Sequence, residues 1–181
     1  MHARSPYRGL APIAVMVLSL AACGSAAVAK PAYVEVTAET LRATDPIPAP
    51  AGDVVLTVSG DIGKADPGST LRLDLATVEQ MGLVRYTVHD PWLDADHEFS
   101  GVLLADVLDT VGASSASTHL RFVAIDDYEV QISIADARRW PVLLATKMDG
   151  QPMTVEDKGP TRIVWPYDQF PEIDRLTYKD L

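Results

Sequence analysis

Residues 142–168 read VLLATKMDGQPMTVEDKGPTRIVWPYD, two extended segments separated by punctuation. The run from Val142 to Met148 is almost continuously apolar, the pattern of a buried strand. It stops at Asp149-Gly150, a dipeptide that tolerates the positive φ values of a tight hairpin turn. A loop carrying Lys158, Gly159 and Pro160 leads to a second extended run, TRIVWP, over residues 161–166.

Working upstream, ADARRW (135–140) predicts a brief helical turn. YEVQISI (128–134) alternates, with Val130, Ile132 and Ile134 facing one way, and HLRFVAI (119–125) precedes it; these are strands. The best helix opens at Gly101: Leu103, Leu104, Val107, Leu108 and Val111 recur at helical spacing and Gly112 closes it. Val107 and Leu108 are expected to be buried against the strands around Phe122 and Ile132. LVRYTV (83–88), LRLDL (71–75) and DVVLTVSG (53–60) are further strands, the last with Val54, Leu56 and Val58 on one face. Between two of them Asp74 caps a short helix ending at Met81, with Gly82 in the C′ position. No repeat and no βαβ rhythm is visible. Residues 53–181 are therefore expected to form an α+β domain of mixed, largely antiparallel sheets with a few short helices.

The N-terminal part has another character. Arg4 and Arg8 are followed by an apolar run, Leu10 to Ala22, interrupted by Pro12 and Ser19. That is shorter than the roughly 20 residues that span a bilayer. A positive start, a short apolar core and a small-residue exit describe a secretory signal peptide over residues 1–23. Leu20-Ala21-Ala22-Cys23 resembles a bacterial lipobox, which makes Cys23 the expected lipidation site and the protein a periplasmic or cell-envelope lipoprotein. Ala27-Val28-Ala29 is the competing exit for ordinary signal peptidase. Residues 24–52, rich in Ala, Thr and Pro, are expected to be a flexible tether, because each proline removes a donor and restricts its predecessor. AYVEVTAETL (32–41) is the one piece able to add an edge strand.

Cys23 is the chain's single cysteine. On either exit it leaves the folded domain, so no disulfide, thiolate nucleophile or Cys-based metal site is available within it. Of the 15 basic residues two lie in the leader, leaving 13 against 25 acidic ones, a balance near −12. Such acidity argues against nucleic acid and gives no attraction to anionic lipid, so membrane attachment would rest on lipid at Cys23.

VLTVSGDIG, FSGVLLADVLDTVGA, DDYEVQISIADA and KMDGQPMTVEDKGPTRIVWPYD, in this order, resemble the molybdopterin-binding domain of sulfite oxidase-type oxidoreductases, and most of all its small, single-domain, exported members. The likeness covers roughly Asp53 to Phe170. It implies that fold, a pocket bordered by Asp127-Tyr128, and a Gly-x-Pro-x-Arg strand holding the pterin phosphate. Carried over by residue, Lys158, Gly159 and Arg162 hold the cofactor, with Pro160 in the same pattern, Tyr128 at the pocket border, and Arg85 as a further phosphate partner.

Catalytic members bind molybdenum through a cysteine, and the corresponding stretch here, VRYTVHDPWLDADHEF (84–99), contains none. Thr87 or His89 stands nearest the expected place, and neither a hydroxyl nor a neutral imidazole reproduces thiolate donation. His89 is therefore counted with the cofactor-side residues, and no catalytic residue and no metal ligand is assigned. The expectation is a non-catalytic module without a cofactor, which binds a small anionic ligand or a membrane-associated protein partner. The alternative is a working molybdopterin-dependent oxidoreductase with unconventional metal ligation. HDPWLDADHE (89–98) concentrates His89, Asp90, Asp94, Asp96, His97 and Glu98. It reads as a solvated loop between strands rather than a metal site, since no known ligand spacing is reproduced. His119 reads as a surface residue, and Trp92, Trp140 and Trp165 as core or pocket walls.

Overall fold

In the computed structural model of the chain, residues 32–66 and 68–173 are described. The signal-peptide segment, Cys23 and the first residues of the expected tether lie outside them.

Strand β1 (Val34–Thr37) falls inside the expected tether. It is the edge strand foreseen in AYVEVTAETL and pairs antiparallel with β4 (Leu83–Asp90). A little further on, Leu41 is buried in the core beside Leu73 and Met81 and Ile47 packs against the same cluster, while the prolines around it are exposed. The six-stranded sheet runs β1, β4, β5 (Ala95–Leu103), β8 (Leu143–Met148) and β10 (Arg162–Val164), with the short β9 (Gln151–Pro152) also on β8. Two separate antiparallel pairs accompany it: β2 (Val54–Val58) with β3 (Leu71–Asp74), and β6 (His119–Val123) with β7 (Glu129–Ser133). Every described pairing is antiparallel. With three short helices, α1 (Leu75–Glu79), α2 (Leu104–Val111) and α3 (Ile134–Arg139), the architecture is sheet-dominated.

Side chains alternate across a strand, and the core follows that rule. Leu143 and Ala145 of β8 belong to one apolar cluster with Tyr86, Val88, Phe99, Trp140 and Trp165. Leu144, between them, joins Leu73, Val78, Met81 and Val102 in another. Helix α2 divides likewise, Leu108 meeting Ile132 and Phe122 while Val107 packs with Val111 in the second cluster. The expectation for Leu108 holds and that for Val107 is corrected: on α2 the two point about 100° apart, so adjacent residues cannot share one wall.

Gly101 corrects the helix start. It lies in β5 opposite Ala145, and α2 begins three residues later, where the Leu104 amide donates to the Val142 carbonyl at 2.8 Å. A Cβ on Gly101 would overlap the Leu144 carbonyl oxygen, so glycine is required for close strand approach rather than for a cap. The Asp149-Gly150 turn carries positive φ at both residues, 49° and 77°, as the dipeptide requires.

Candidate functional site

Strand β4 ends in His89-Asp90, the chain turns through residues 91–94, and β5 returns. The stretch expected as one solvated loop is thus mostly ladder, because Thr87, Val88, His89 and Asp90 pair with Glu98, His97, Asp96 and Ala95. β10 and the residues after it lie close to this hairpin. Together they line a cleft of Val88, His89, Asp90, Pro91, Trp92, Phe99, Arg162, Ile163, Val164 and Tyr167.

Asp90 is at the bottom, 1% exposed. Its two oxygens take the Arg162 guanidinium in fork geometry, Nη1 to Oδ2 at 2.6 Å and Nη2 to Oδ1 at 3.2 Å. Oδ1 also accepts the amides of Trp92 at 2.8 Å and Leu93 at 3.4 Å. Burial by itself would raise the Asp90 pKa, yet the hydrogen bonds and charge of Arg162, with the two amides, bring it below the ordinary carboxylate value. Bidentate pairing with an arginine is the arrangement that best compensates desolvation.

At the rim His89 stands between two carboxylates, Nδ1 at 3.1 Å from Asp96 and Nε2 at 3.4 Å from Asp94. The hydrogen bond to Asp96 raises its pKa; burial opposes this and Asp94 adds to it. The His89 amide donates to Asp168 at 2.6 Å. His97 belongs to a different pair, with Asp149 at 2.7 Å. The acidic and imidazole groups of this stretch therefore divide among separate partners: Asp94 and Asp96 with His89, His97 with Asp149, Glu98 with Arg85, and the buried Asp90 with Arg162.

Of the residues expected at the site, His89 and Arg162 line the cleft. Lys158 comes to its edge, its ammonium 3.4 Å from the centroid of the Trp92 ring. Gly159 supports the loop: its amide donates to the Thr154 carbonyl at 2.7 Å, and a Cβ there would overlap the Met153 carbonyl oxygen. Tyr128 is placed elsewhere, half-exposed in the turn between β6 and β7, and is not among the lining residues. Arg85 points out of β4 to Glu98 at 3.2 Å. Trp92, read as a core or pocket wall, lines the cleft, whereas Asp90 and Tyr167 were not singled out as site residues by sequence. A signal existed for Asp90: an Asp before Pro at a strand end is a turn former whose carboxylate takes the amides two and three residues on.

The residues do not fit the molybdenum cofactor that the resemblance implies. Val88, between the two residues nearest the expected ligand position, lines the cleft and has no donor atom in its side chain. Thr87 is exposed and the His89 ring nitrogens face Asp94 and Asp96. Arg162, the strongest phosphate partner in the pattern, is already neutralised by Asp90. The enclosed space is about 10 Å³, close to the minimum for one water and far from the several hundred Å³ of a cofactor pocket.

Residues 67–169 match the family model of the oxidoreductase molybdopterin binding domain. No curated protein matches the chain.

Proposed function

The chain belongs to the oxidoreductase molybdopterin-binding family, and from that premise we propose that it is a non-catalytic member, a sulfite oxidase-type fold that works without its cofactor as a binding module. The observation that carries this reading is the Asp90–Arg162 pair, 0% and 10% exposed at the side chains. Separating a buried pair by removing one partner costs about 3–5 kcal/mol, so a pterin phosphate would have to outbid a carboxylate held by three groups. The lack of any thiolate in residues 84–99 supports the same reading. The cleft is the ligand site, and a membrane-associated protein is the natural partner of a chain tethered beside a bilayer. Export and anchoring through lipid on Cys23 rest on the leader sequence.

Molybdenum and pterin analysis of mature protein purified from cells that make the cofactor tests the proposal. Far less than one equivalent is expected. Stoichiometric molybdenum with a charge-transfer band and turnover of an oxo-transfer substrate would establish the other reading, a working enzyme with unconventional ligation. Anchoring is tested separately: Cys23→Ala should release the protein from membranes or block its processing, and a lipid-free wild-type form starting at Lys30 would refute it.

A further inference from the structure

The cations of the cleft rest on aromatic rings. The Lys158 ammonium lies 3.4 Å from the Trp92 centroid, and the Arg162 guanidinium 5.5 Å from that of Phe99. The two rings differ in access. Phe99 is buried, whereas Trp92 is 44% exposed, with the Lys158 ammonium over its ring. Carboxylates gather on the cleft's rim at His89: Asp94 and Asp96 flank its ring, and Asp168 accepts its amide, while Asp90 beneath is held by Arg162. An indole face edged by carboxylates attracts cations, because the ring quadrupole and the acids act in the same sense. An anion meets the opposite situation. To reach Arg162 it must leave Asp90 buried without its counter-ion, and it meets the carboxylates of the same hairpin.

The geometry points to a binding site for the ammonium group of a small organic cation on the Trp92 face, at present filled by the chain's own Lys158. This rests on the reading of the cleft as a ligand site and reverses the charge of the ligand that the family motif suggests. Lys158 then acts as an internal competitor, and a ligand binds by taking its place over the ring. Loop 154–160 is built for this: Thr154 and Asp157 bond each other, and the Gly159 amide returns to Thr154, so the loop holds its shape by contacts other than the lysine side chain.

Tetramethylammonium chloride is the probe, with sodium chloride at equal ionic strength as control. In the mature wild-type protein it should shift the Trp92 indole N–H resonance saturably, the peak being assigned by its loss in Trp92→Phe. Lys158→Ala should bind the probe about five-fold more tightly, the scale of an exposed cation–π contact removed from competition. Lys158→Arg, which keeps a competing cation, should show no such gain. Saturation transfer to the probe's methyl protons should vanish in Trp92→Leu. No saturable shift, equal affinity in wild type and Lys158→Ala, or a saturable response to inorganic phosphate instead would overturn the assignment. If the purified protein is free of molybdenum and the probe still does not bind, only this inference fails. Stoichiometric molybdenum would instead overturn the functional reading beneath it.

Discussion

Asp74 and Asp90 are both buried carboxylates, 5% and 1% exposed, yet they are neutralised in unlike ways. Asp74 is met by neutral donors: Oδ1 accepts the Thr77 amide at 2.9 Å, and Oδ2 those of Ala51 at 2.7 Å and Gly52 at 2.9 Å. It caps α1 and fastens the segment before β2. Asp90 is met by a full positive charge from β10, 72 residues away in sequence. Hydrogen bonds lower the pKa of Asp74, from the Thr77 side chain first and then from the amides. For Asp90, burial pulls upward, and Arg162 together with the Trp92 and Leu93 amides outweighs it. The difference separates a carboxylate held by nearby backbone amides from one that holds an arginine of the proposed ligand cleft.

The largest expected effect is at the ion pair. Asp90→Ala leaves Arg162 buried without a partner and should destabilise the domain by about 3–5 kcal/mol in urea unfolding. The double variant Asp90→Leu/Arg162→Met should regain most of that loss, because apolar replacement of a buried pair is often near neutral. Leu108→Ala gives the scale for packing alone, about 2–5 kcal/mol, since a buried leucine leaves a cavity. Asp74→Ala, which loses neutral amide donors rather than the counter-ion of a buried charge, should cost less than Asp90→Ala. Equal costs at Asp74 and Asp90 would erase the distinction drawn between them.

A pH series sharpens it further. Both carboxylates titrate below their ordinary value in the folded state. Their stabilisation is thus complete above roughly pH 4, the unfolded pKa, and is lost as pH falls through the folded values. Asp74→Asn and Asp90→Asn should each flatten this acid limb in thermal melts. His89 has the opposite sign. Its raised pKa gives stability that is present below about pH 6.5 and lost as pH rises through the folded value. With its side chain 41% exposed, solvent screening keeps this the smallest effect, and His89→Gln should remove it.

The same contrast explains what was legible in the sequence. The Asp74 cap, the Asp149-Gly150 turn and the alternation of Val130 and Ile132 in β7 are local patterns that stand where their residues place them, although Ile134, expected on the same strand face, begins α3 instead. Gly101 was misassigned because glycine before an amphipathic run suits a helix start as well as a strand contact, and only β8 across the sheet decides. β1 was legible as an edge strand, but the burial of Leu41 depends on partners more than 30 residues downstream. At the site, the family resemblance marked Arg162 through the GPTR stretch. Its neutralisation is a long-range event, invisible until β4 and β10 lie near each other, and Tyr128 was carried over from the family pattern to a hairpin away from the lining residues.

The whole reading depends on Asp90 holding Arg162, and a double-mutant cycle measures that directly. Asp90→Asn, Arg162→Met and the double variant, compared with wild type by urea unfolding at neutral pH, give the coupling between the two side chains. A coupling in the upper part of the roughly 0.5–3 kcal/mol seen for contacting residues is expected. A coupling indistinguishable from zero would contradict the account, because Arg162 would then be open to an anionic ligand in the manner of the family's cofactor-binding members.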